Sequence, residues 1–284
     1  MSNRLPVLLQ YFYPKRAMTT FAGSVANAQA GGITTAIIRW FVGHYNVDMS
    51  EAAEPDIARY LTFNAFFTRA LRPGARPIAD ADFVCPVDGS ISQFGAIDDD
   101  RIIQAKNHDY STVALVGGDR ALATHFRHGS FATLYLSPRD YHRVHMPCAG
   151  RLTRMIFVPG SLFSVNAVTA RGVPELFARN ERVVCVFETG HGPFVLALVG
   201  ATIVGSIETV WHGVVNPRGD RQVREWQYGP QGRVFAKGEE MGRFSLGSTI
   251  VLLFPKERLL FNPEWAPDRP VRLGEMMARD ATRW

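Results

Sequence analysis

Two histidines lie three residues apart in a polar segment that is bounded by prolines. They are His142 and His145, within residues 137–147. Their arginine and aspartate neighbours make this segment too polar to be interpreted as core filler. A histidine pair is suited to general acid–base chemistry near neutral pH. The same spacing can serve a metal ion, but a metal site needs further ligands, and the local pattern does not supply them.

Three other segments contain candidate functional residues. Asp88 lies in the turn-like run 86–90, although an Asp-Gly pair is also a common turn former. Ser248 follows Gly247 and directly precedes an apolar run. Residues 158–166 combine small and apolar side chains that can shape a pocket or form an ordinary loop.

Several common motifs are absent from the sequence. It contains no phosphate-binding G-x-x-x-x-G-K-[ST] loop, no dinucleotide-binding G-x-G-x-x-G after a strand, no H-E-x-x-H and no G-x-S-x-G. The usual nucleotide-binding, zinc-protease and α/β-hydrolase interpretations therefore lose most of their support.

Composition indicates an ordinary globular protein with an excess of arginine. The chain has 284 residues and a formal net charge of +5, and arginine supplies 27 of its 31 cationic side chains. Arginine suits phosphate contacts, which favours an anionic partner such as a phospholipid surface or nucleic acid. A GC-rich genome would produce the same bias. The three cysteines are too few and too scattered for a disulfide framework and are predicted to be reduced thiols.

The hydrophobic pattern changes near residue 75. Residues 1–75 show an apolar run at 5–12 and helical patterns at 19–28, 34–45 and 56–71. Helix 34–45 carries an apolar stripe beside Trp40, which fits either an interfacial helix on a membrane or a helix docked on the protein's own core. The chain has no run of 18 apolar residues, so we expect no segment to span a bilayer.

From about residue 76 the pattern changes to short β-like runs separated by turn residues. We therefore expect an α+β protein with a helical, membrane-associating region over residues 1–75 and a β-rich catalytic domain over residues 76–284. The predicted strands cover residues 90–94, 132–136, 155–158, 183–187, 194–199, 201–204 and 249–254.

Taken together, six segments resemble the bacterial, membrane-associated phosphatidylserine decarboxylase family. Their order and spacing carry the resemblance, which extends from about residue 60 to Val271-Arg-Leu-Gly-Glu. The segments are Phe66-Phe-Thr-Arg, Pro86-Val-Asp-Gly, Tyr141-His-Arg-Val-His-Met-Pro, Leu176-Phe-Ala-Arg-Asn-Glu-Arg, Val199-Gly-Ala-Thr-Ile-Val-Gly-Ser-Ile-Glu-Thr and Gly242-Arg-Phe-Ser-Leu-Gly-Ser-Thr.

The resemblance implies a proenzyme that cuts itself between Gly247 and Ser248. The products would be a β chain of residues 1–247 and an α chain of residues 248–284 that form a heterodimer. The resemblance places Asp88, His145 and Ser248 in a self-cleavage triad, because a serine hydroxyl needs a general base. Glycine at position 247 leaves the carbonyl open to attack.

The implied cofactor is a covalent pyruvoyl group made from Ser248. It would form a Schiff base with phosphatidylserine and promote loss of CO₂ to give phosphatidylethanolamine. His142 is the candidate acid/base residue in that step. The resemblance further implies a peripheral protein on the cytoplasmic side of the inner membrane, bound to an anionic lipid surface, with further dimerisation and without nucleic acid or metal.

Two alternatives remain at this point. One is a serine hydrolase that uses Asp88, His145 and Ser248 as an ordinary triad in an intact chain. The other is a β-rich module that binds lipid or RNA. The arginines are dispersed along the sequence and form no compact basic-aromatic block, which argues against nucleic acid.

Overall fold

The computed structural model describes residues 10–11, 13–106, 108–202, 206–215, 221–245 and 248–283. These residues contain a few helices near the N-terminus followed by many strands, so the α+β prediction is confirmed. The α-helices are α1 (Lys15–Asn27), α2 (Gly32–Tyr45), α3 (Phe63–Phe67), α4 (Thr112–Leu115), α5 (Arg120–Thr124), α6 (Ala167–Ala170) and α7 (Leu176–Arg179).

Helices α1, α2 and α3 share a small hydrophobic core. Ile38 and Phe41 of α2 pack with three phenylalanines of α3, and the Phe41 and Phe63 rings meet edge to face with centroids 5.0 Å apart. This core is separate from the larger one in the β-rich part. The division into domains at residue 75 stays a prediction.

The apolar residues of α2 lie partly in the core and partly on the surface. Ile38 and Phe41 are buried, whereas Ile33, Ile37 and Trp40 are exposed, Trp40 to 61%. The helix therefore docks on the protein's own core with one side and leaves a second apolar side uncovered. Docking on the protein's own core is confirmed for the buried side, and membrane contact stays a prediction for the exposed side.

The prediction of one helix over residues 56–71 was wrong. The segment forms a 3₁₀ turn at Ile57–Arg59 and then the short helix α3. Thr62 has an extended backbone and its side chain accepts a hydrogen bond from the backbone N–H of Ala65. Such an N-cap starts a new helix and interrupts the preceding one. The predicted helices at 19–28 and 34–45 are confirmed by α1 and α2, and the apolar run at 5–12 lies largely outside the described residues.

The strands of the described residues pair antiparallel throughout. They are β1 (Phe83–Val84), β2 (Gly89–Ala96), β3 (Arg101–Ala105), β4 (His108–Ser111), β5 (Ser130–Leu136), β6 (Arg143–His145), β7 (Gly150–Val158), β8 (Arg182–Thr189), β9 (Gly192–Val199), β10 (Ile207–Thr209), β11 (Gly213–Val214), β12 (Arg224–Gln227), β13 (Val234–Phe235), β14 (Glu240–Phe244), β15 (Ser248–Phe254), β16 (Leu259–Phe261), β17 (Pro270–Val271) and β18 (Met276–Asp280).

The main sheet has the order β12-β7-β8-β9-β15-β5-β2-β17, with β13 also paired to β7. Strand β15 lies at its centre, and all of its residues are buried. That placement explains its uninterrupted apolar sequence, because a central strand covered on both faces needs no polar alternation. A smaller sheet with the order β11-β10-β14-β6 carries His145.

Most strand predictions are confirmed. The predicted runs at 90–94, 132–136, 155–158, 183–187, 194–199 and 249–254 lie within β2, β5, β7, β8, β9 and β15. In the predicted run 201–204, Ala201 and Thr202 are not in a strand, and residues 203–204 lie outside the described residues.

Across the described ranges, the helices are too short or too polar to cross a lipid bilayer.

Candidate active site

Backbone hydrogen bonds bring the predicted site segments together at one end of the main sheet. The His145 N–H donates to the Pro86 carbonyl at 2.8 Å, and the Phe244 N–H donates to the His142 carbonyl at 3.1 Å. Strand β5 lies between β15 and β2, with Ser248 opposite Leu136. The start of β2, the histidine segment and the start of β15 are therefore neighbours in the fold.

A tight turn positions His142. The Asp140 N–H donates to the Ser137 carbonyl at 3.0 Å, and the Asp140 side chain accepts from the Ser137 N–H at 2.7 Å. Pro138, at the second position of this turn, favours its geometry. The His142 ring packs against the Phe67 ring, with the two ring centroids 4.0 Å apart.

His142 is fully buried and has one free ring nitrogen. Its Nδ1 lies 2.8 Å from the Asp140 carbonyl oxygen, which can only accept a hydrogen bond. Nδ1 therefore carries the proton, and Nε2 has a lone pair. Nε2 has no hydrogen-bond partner among the described residues. Burial lowers the pKa of His142 to about 3, so the ring is neutral at physiological pH.

His145 has the same tautomer but a different second contact. Its Nδ1 donates to the Gly238 carbonyl oxygen at 2.8 Å, and its Nε2 accepts from the Tyr141 hydroxyl at 3.1 Å. Burial lowers the pKa of His145 and raises that of Tyr141. The imidazole is thus neutral, and the phenol keeps its proton.

Asp88 is held by a buried arginine. The Arg76 Nε donates to the Asp88 carboxylate at 2.9 Å, and Arg76 Nη2 reaches Glu51 at 2.7 Å. The backbone N–H of Leu273 also donates to Asp88 at 2.8 Å. Asp88 does not hydrogen-bond to His145 in these contacts. Burial lowers the pKa of His145, and the hydrogen bond to Gly238, the charge of Glu240 and, least, the charge of Asp88 act to raise it.

Ser248 is the first residue of β15. Its Oγ is fully buried and has no hydrogen-bond partner among the described residues. A buried hydroxyl without a partner is costly, and a catalytic role is one explanation for it, although the neighbouring Thr249 hydroxyl is in the same condition. Gly247, the predicted neighbour at the cleavage site, lies outside the described residues. The fold therefore brings the segments of Asp88, His145 and Ser248 together without joining the three side chains by hydrogen bonds.

A cleft of about 540 Å³ opens beside Asp88, whereas His142, His145 and Ser248 are not among the residues that line it. Asp88, Asp140 and Tyr141 line it from the β-rich part, and residues 46–76 contribute side chains from the N-terminal region. Four arginines line the same cleft, namely Arg69, Arg76, Arg139 and Arg272. No group of three or more His, Cys, Asp or Glu side chains in the described parts of the chain is arranged to hold a metal ion.

Sequence reasoning missed the roles of Arg69, Arg76 and Tyr141 in this cleft. Residues 68–78 are cation-rich, but a cation-rich segment does not by itself show which of its side chains become buried beside a cleft. Residues 158–166 form mainly a loop whose apolar side chains point inward: Leu162, Phe163 and Val165 are buried.

Comparisons with known proteins agree over nearly the whole chain. The family model for phosphatidylserine decarboxylase matches residues 63–279, and a second model, described as PSD, matches residues 5–46. A phosphatidylserine decarboxylase proenzyme of Dechloromonas aromatica is 67% identical over 281 residues, covering 99% of this chain and 100% of that protein. Proteins of the same name from Variovorax paradoxus and Polaromonas naphthalenivorans are 69% and 70% identical, each over 98% of this chain and 98% and 97% of their own lengths.

Proposed function

The chain belongs to the phosphatidylserine decarboxylase family, and on that premise we propose that it converts phosphatidylserine to phosphatidylethanolamine and CO₂ through a pyruvoyl group derived from Ser248. It is accordingly a lyase of phospholipid biosynthesis that is made as a proenzyme. The observation that carries the proposal is identity of 67% over 281 residues to a proenzyme of that name. The serine-hydrolase and lipid- or RNA-binding alternatives lose their basis, since neither accounts for this match.

In the proposed self-cleavage, Ser248 Oγ attacks the Gly247 carbonyl carbon. The hydroxyl proton passes to His145, the amide nitrogen leaves, and an ester replaces the peptide bond. β-Elimination then removes the Cα proton of residue 248 and breaks its Cβ–O bond, which releases the Gly247 carboxylate and leaves dehydroalanine. The dehydroalanine tautomerises to an imine, and hydrolysis by one water molecule releases ammonia and leaves the pyruvoyl ketone. The buried and unpartnered Ser248 Oγ supports this role, because no competing hydrogen bond from a described residue has to be broken first.

His145 is the proposed base because it is neutral and carries its lone pair on Nε2. To take the Ser248 proton, Nε2 must exchange the Tyr141 hydroxyl for Ser248 Oγ. The imidazolium that results would be stabilised by the Gly238 carbonyl, which accepts from Nδ1, by the negative charge of Glu240 and, least, by that of Asp88. General-base assistance contributes about 10²- to 10⁴-fold in rate.

Ser248 and His142 fit a pyruvoyl group at position 248, because both side chains are buried and each has a polar atom without a hydrogen-bond partner among the described residues. When present, that group supplies a carbonyl that bonds to the substrate amine and accepts the electron pair left by departing CO₂. The proposed role of His142 is to move a proton at the substrate carbon, since its Nε2 lone pair is buried and unpartnered among the described residues. Burial of the ring also excludes water that would compete as a proton donor.

The uncovered apolar sides of α1 and α2 are the proposed membrane contact. Exposed large apolar side chains of α1 include Phe21 and Val25, and those of α2 include Ile33, Ile37 and Trp40. Apolar faces of this kind bury into the headgroup region, and arginines near an anionic leaflet add about 1 kcal/mol each. We place the enzyme as a peripheral protein on the cytoplasmic side of the inner membrane, as a heterodimer of its α and β chains that dimerises further.

Matched histidine variants test the two proposed steps. His145→Ala should accumulate uncut precursor, whereas His142→Ala should cut itself but lose decarboxylation by about 10²- to 10⁴-fold. His125→Ala, at an exposed position, serves as the control. Self-cleavage is followed by denaturing gel and decarboxylation by phosphatidylethanolamine formed in detergent micelles. A cut and fully active His142→Ala enzyme would remove His142 from the mechanism, and normal cutting by His145→Ala would remove His145.

A further inference from the structure

Arg69 is a buried cation with few partners. It follows α3, is 5% exposed, and donates one hydrogen bond, from Nη2 to the Arg139 carbonyl at 3.3 Å. Its Nε and Nη1 have no hydrogen-bond partner among the described residues. No carboxylate of the described residues lies within ion-pair distance of Arg69. A buried guanidinium in this condition is costly unless something else fills its donors.

Arg182 shows what a purely structural buried arginine looks like in the same protein. It is 2% exposed, and its Nε donates to the Leu115 carbonyl at 2.6 Å. Its two terminal nitrogens donate to three further backbone carbonyls. Arg182 therefore has its donors satisfied by the fold itself. Arg69 differs because the fold supplies one backbone acceptor and the Phe66 ring, 5.3 Å from its Cζ, but no acceptor for Nε or Nη1 among the described residues.

The unfilled donors of Arg69 belong to a residue that lines the 540 Å³ cleft. Burial lowers the pKa of Arg69, while the negative charges of Asp88 and Asp140 act through space to raise it. The cleft reaches the histidine segment, because Asp140 and Tyr141 line it, and Phe67, two residues before Arg69, packs against the His142 ring. An anion bound at Arg69 would thus lie in the cleft beside the segment that carries His142.

We propose that Arg69 binds the phosphate of the phosphatidylserine headgroup. The proposal rests on the proposed function, which makes this lipid the substrate. The headgroup offers two anions, a carboxylate and a phosphodiester. An arginine paired with the carboxylate would stabilise the starting state more than the transition state, since that charge disperses as CO₂ leaves. The phosphate keeps its charge throughout, so an arginine that holds it does not oppose the reaction.

The position of Arg69 in the N-terminal region also favours the phosphate as its ligand. The phosphate is the part of the headgroup that joins it to the lipid, so it approaches from the membrane side. Arg69 belongs to the N-terminal region, whose helices α1 and α2 carry the exposed apolar side chains. A planar guanidinium with two free donors also matches the bidentate geometry of a phosphate.

The test compares Arg69→Ala and Arg69→Lys with the control Arg59→Ala, whose arginine side chain is 72% exposed. Two quantities are measured in detergent micelles: the KM for phosphatidylserine and the inhibition constant of phosphatidylethanolamine, which keeps the phosphate but lacks the carboxylate. We expect Arg69→Ala to raise both constants by about 10- to 100-fold, as for a lost charge-assisted hydrogen bond, with a much smaller change in kcat. Arg69→Lys should recover part of the lost affinity, because lysine restores the positive charge but not the planar, bidentate donor geometry of a guanidinium.

Two results would overturn the proposal. If Arg69→Ala raises the KM for phosphatidylserine but leaves the inhibition constant of phosphatidylethanolamine unchanged, Arg69 holds the carboxylate. If neither constant changes, Arg69 does not contact the headgroup. Denaturing mass measurement confirms that each variant has cut itself, and if Arg69→Ala does not, the same comparison is made with Arg69→Lys. An inactive wild type would count against the proposed function instead, so the two failures are distinguishable.

Discussion

Removing the Arg76 charge should destabilise the protein through Asp88. The Arg76 side chain is 7% exposed and donates to both Asp88 and Glu51. In Arg76→Met, whose side chain is of similar length, the Leu273 N–H remains as the donor to Asp88 among the described residues. Removing one partner of a buried ion pair costs about 3 to 5 kcal/mol, because the other charge stays buried. We expect a loss of about 3 kcal/mol, since Glu51 retains some contact with water.

The effect should depend on pH with a defined sign. Arg76 lowers the pKa of Glu51 below its usual 4.5, chiefly through their hydrogen bond. A carboxyl with a depressed folded pKa stabilises the protein above its unfolded pKa, and this contribution is lost as the pH falls through the folded pKa. The difference in unfolding free energy between the parent and Arg76→Met should therefore be constant near neutral pH and shrink below about pH 4.5.

Urea denaturation in a Ser248→Ala background measures this difference on a single uncut chain. The matched control is Arg127→Met, because Arg127 pairs with Asp99 at the surface, where the two side chains are 53% and 49% exposed. That change should cost at most about 1 kcal/mol. A loss for Arg76→Met no larger than the control's would refute the reasoning, since it would mean that water replaces Arg76 at Asp88.

Two further predictions concern the N-terminal helices. Trp40→Glu should weaken cosedimentation with vesicles of anionic phospholipid, because Trp40 is exposed on α2. The control Ile103→Glu, at an exposed position of β3, should not weaken it. Equal binding by both variants would argue against α2 as the membrane contact. Phe67→Ala should lower the free energy of unfolding by about 3 to 5 kcal/mol in the Ser248→Ala background, because the Phe67 ring is buried in the small core and contacts His142. A loss under about 1 kcal/mol would contradict that packing.

Local patterns predicted most of the secondary structure. Strand β15 was predictable because its apolar run is uninterrupted, and α2 because its stripe has helical spacing. The segment 56–71 failed for a local reason, since the Thr62 cap outweighs the apolar periodicity on either side of it. The turn that positions His142 also has a local signal, in Pro138 and Asp140.

The contacts between distant segments had no such signal. Arg76 pairs with Asp88 and Glu51, which lie 12 and 25 positions away, and only the folded chain brings them together. For the same reason the sequence identified Asp88, His145 and Ser248 as candidates but not their present partners. The missing acceptors of Arg69 could be recognised only after burial of the side chain was known.

The most direct test of the account is the intact mass of freshly purified wild type under denaturing conditions, next to Ser248→Ala. The account predicts two wild-type chains divided after Gly247, with the smaller chain lighter than unmodified residues 248–284 by the difference between serine and pyruvoyl. Ser248→Ala should give one uncut chain. A single wild-type chain of full mass in a preparation that decarboxylates phosphatidylserine would contradict the account.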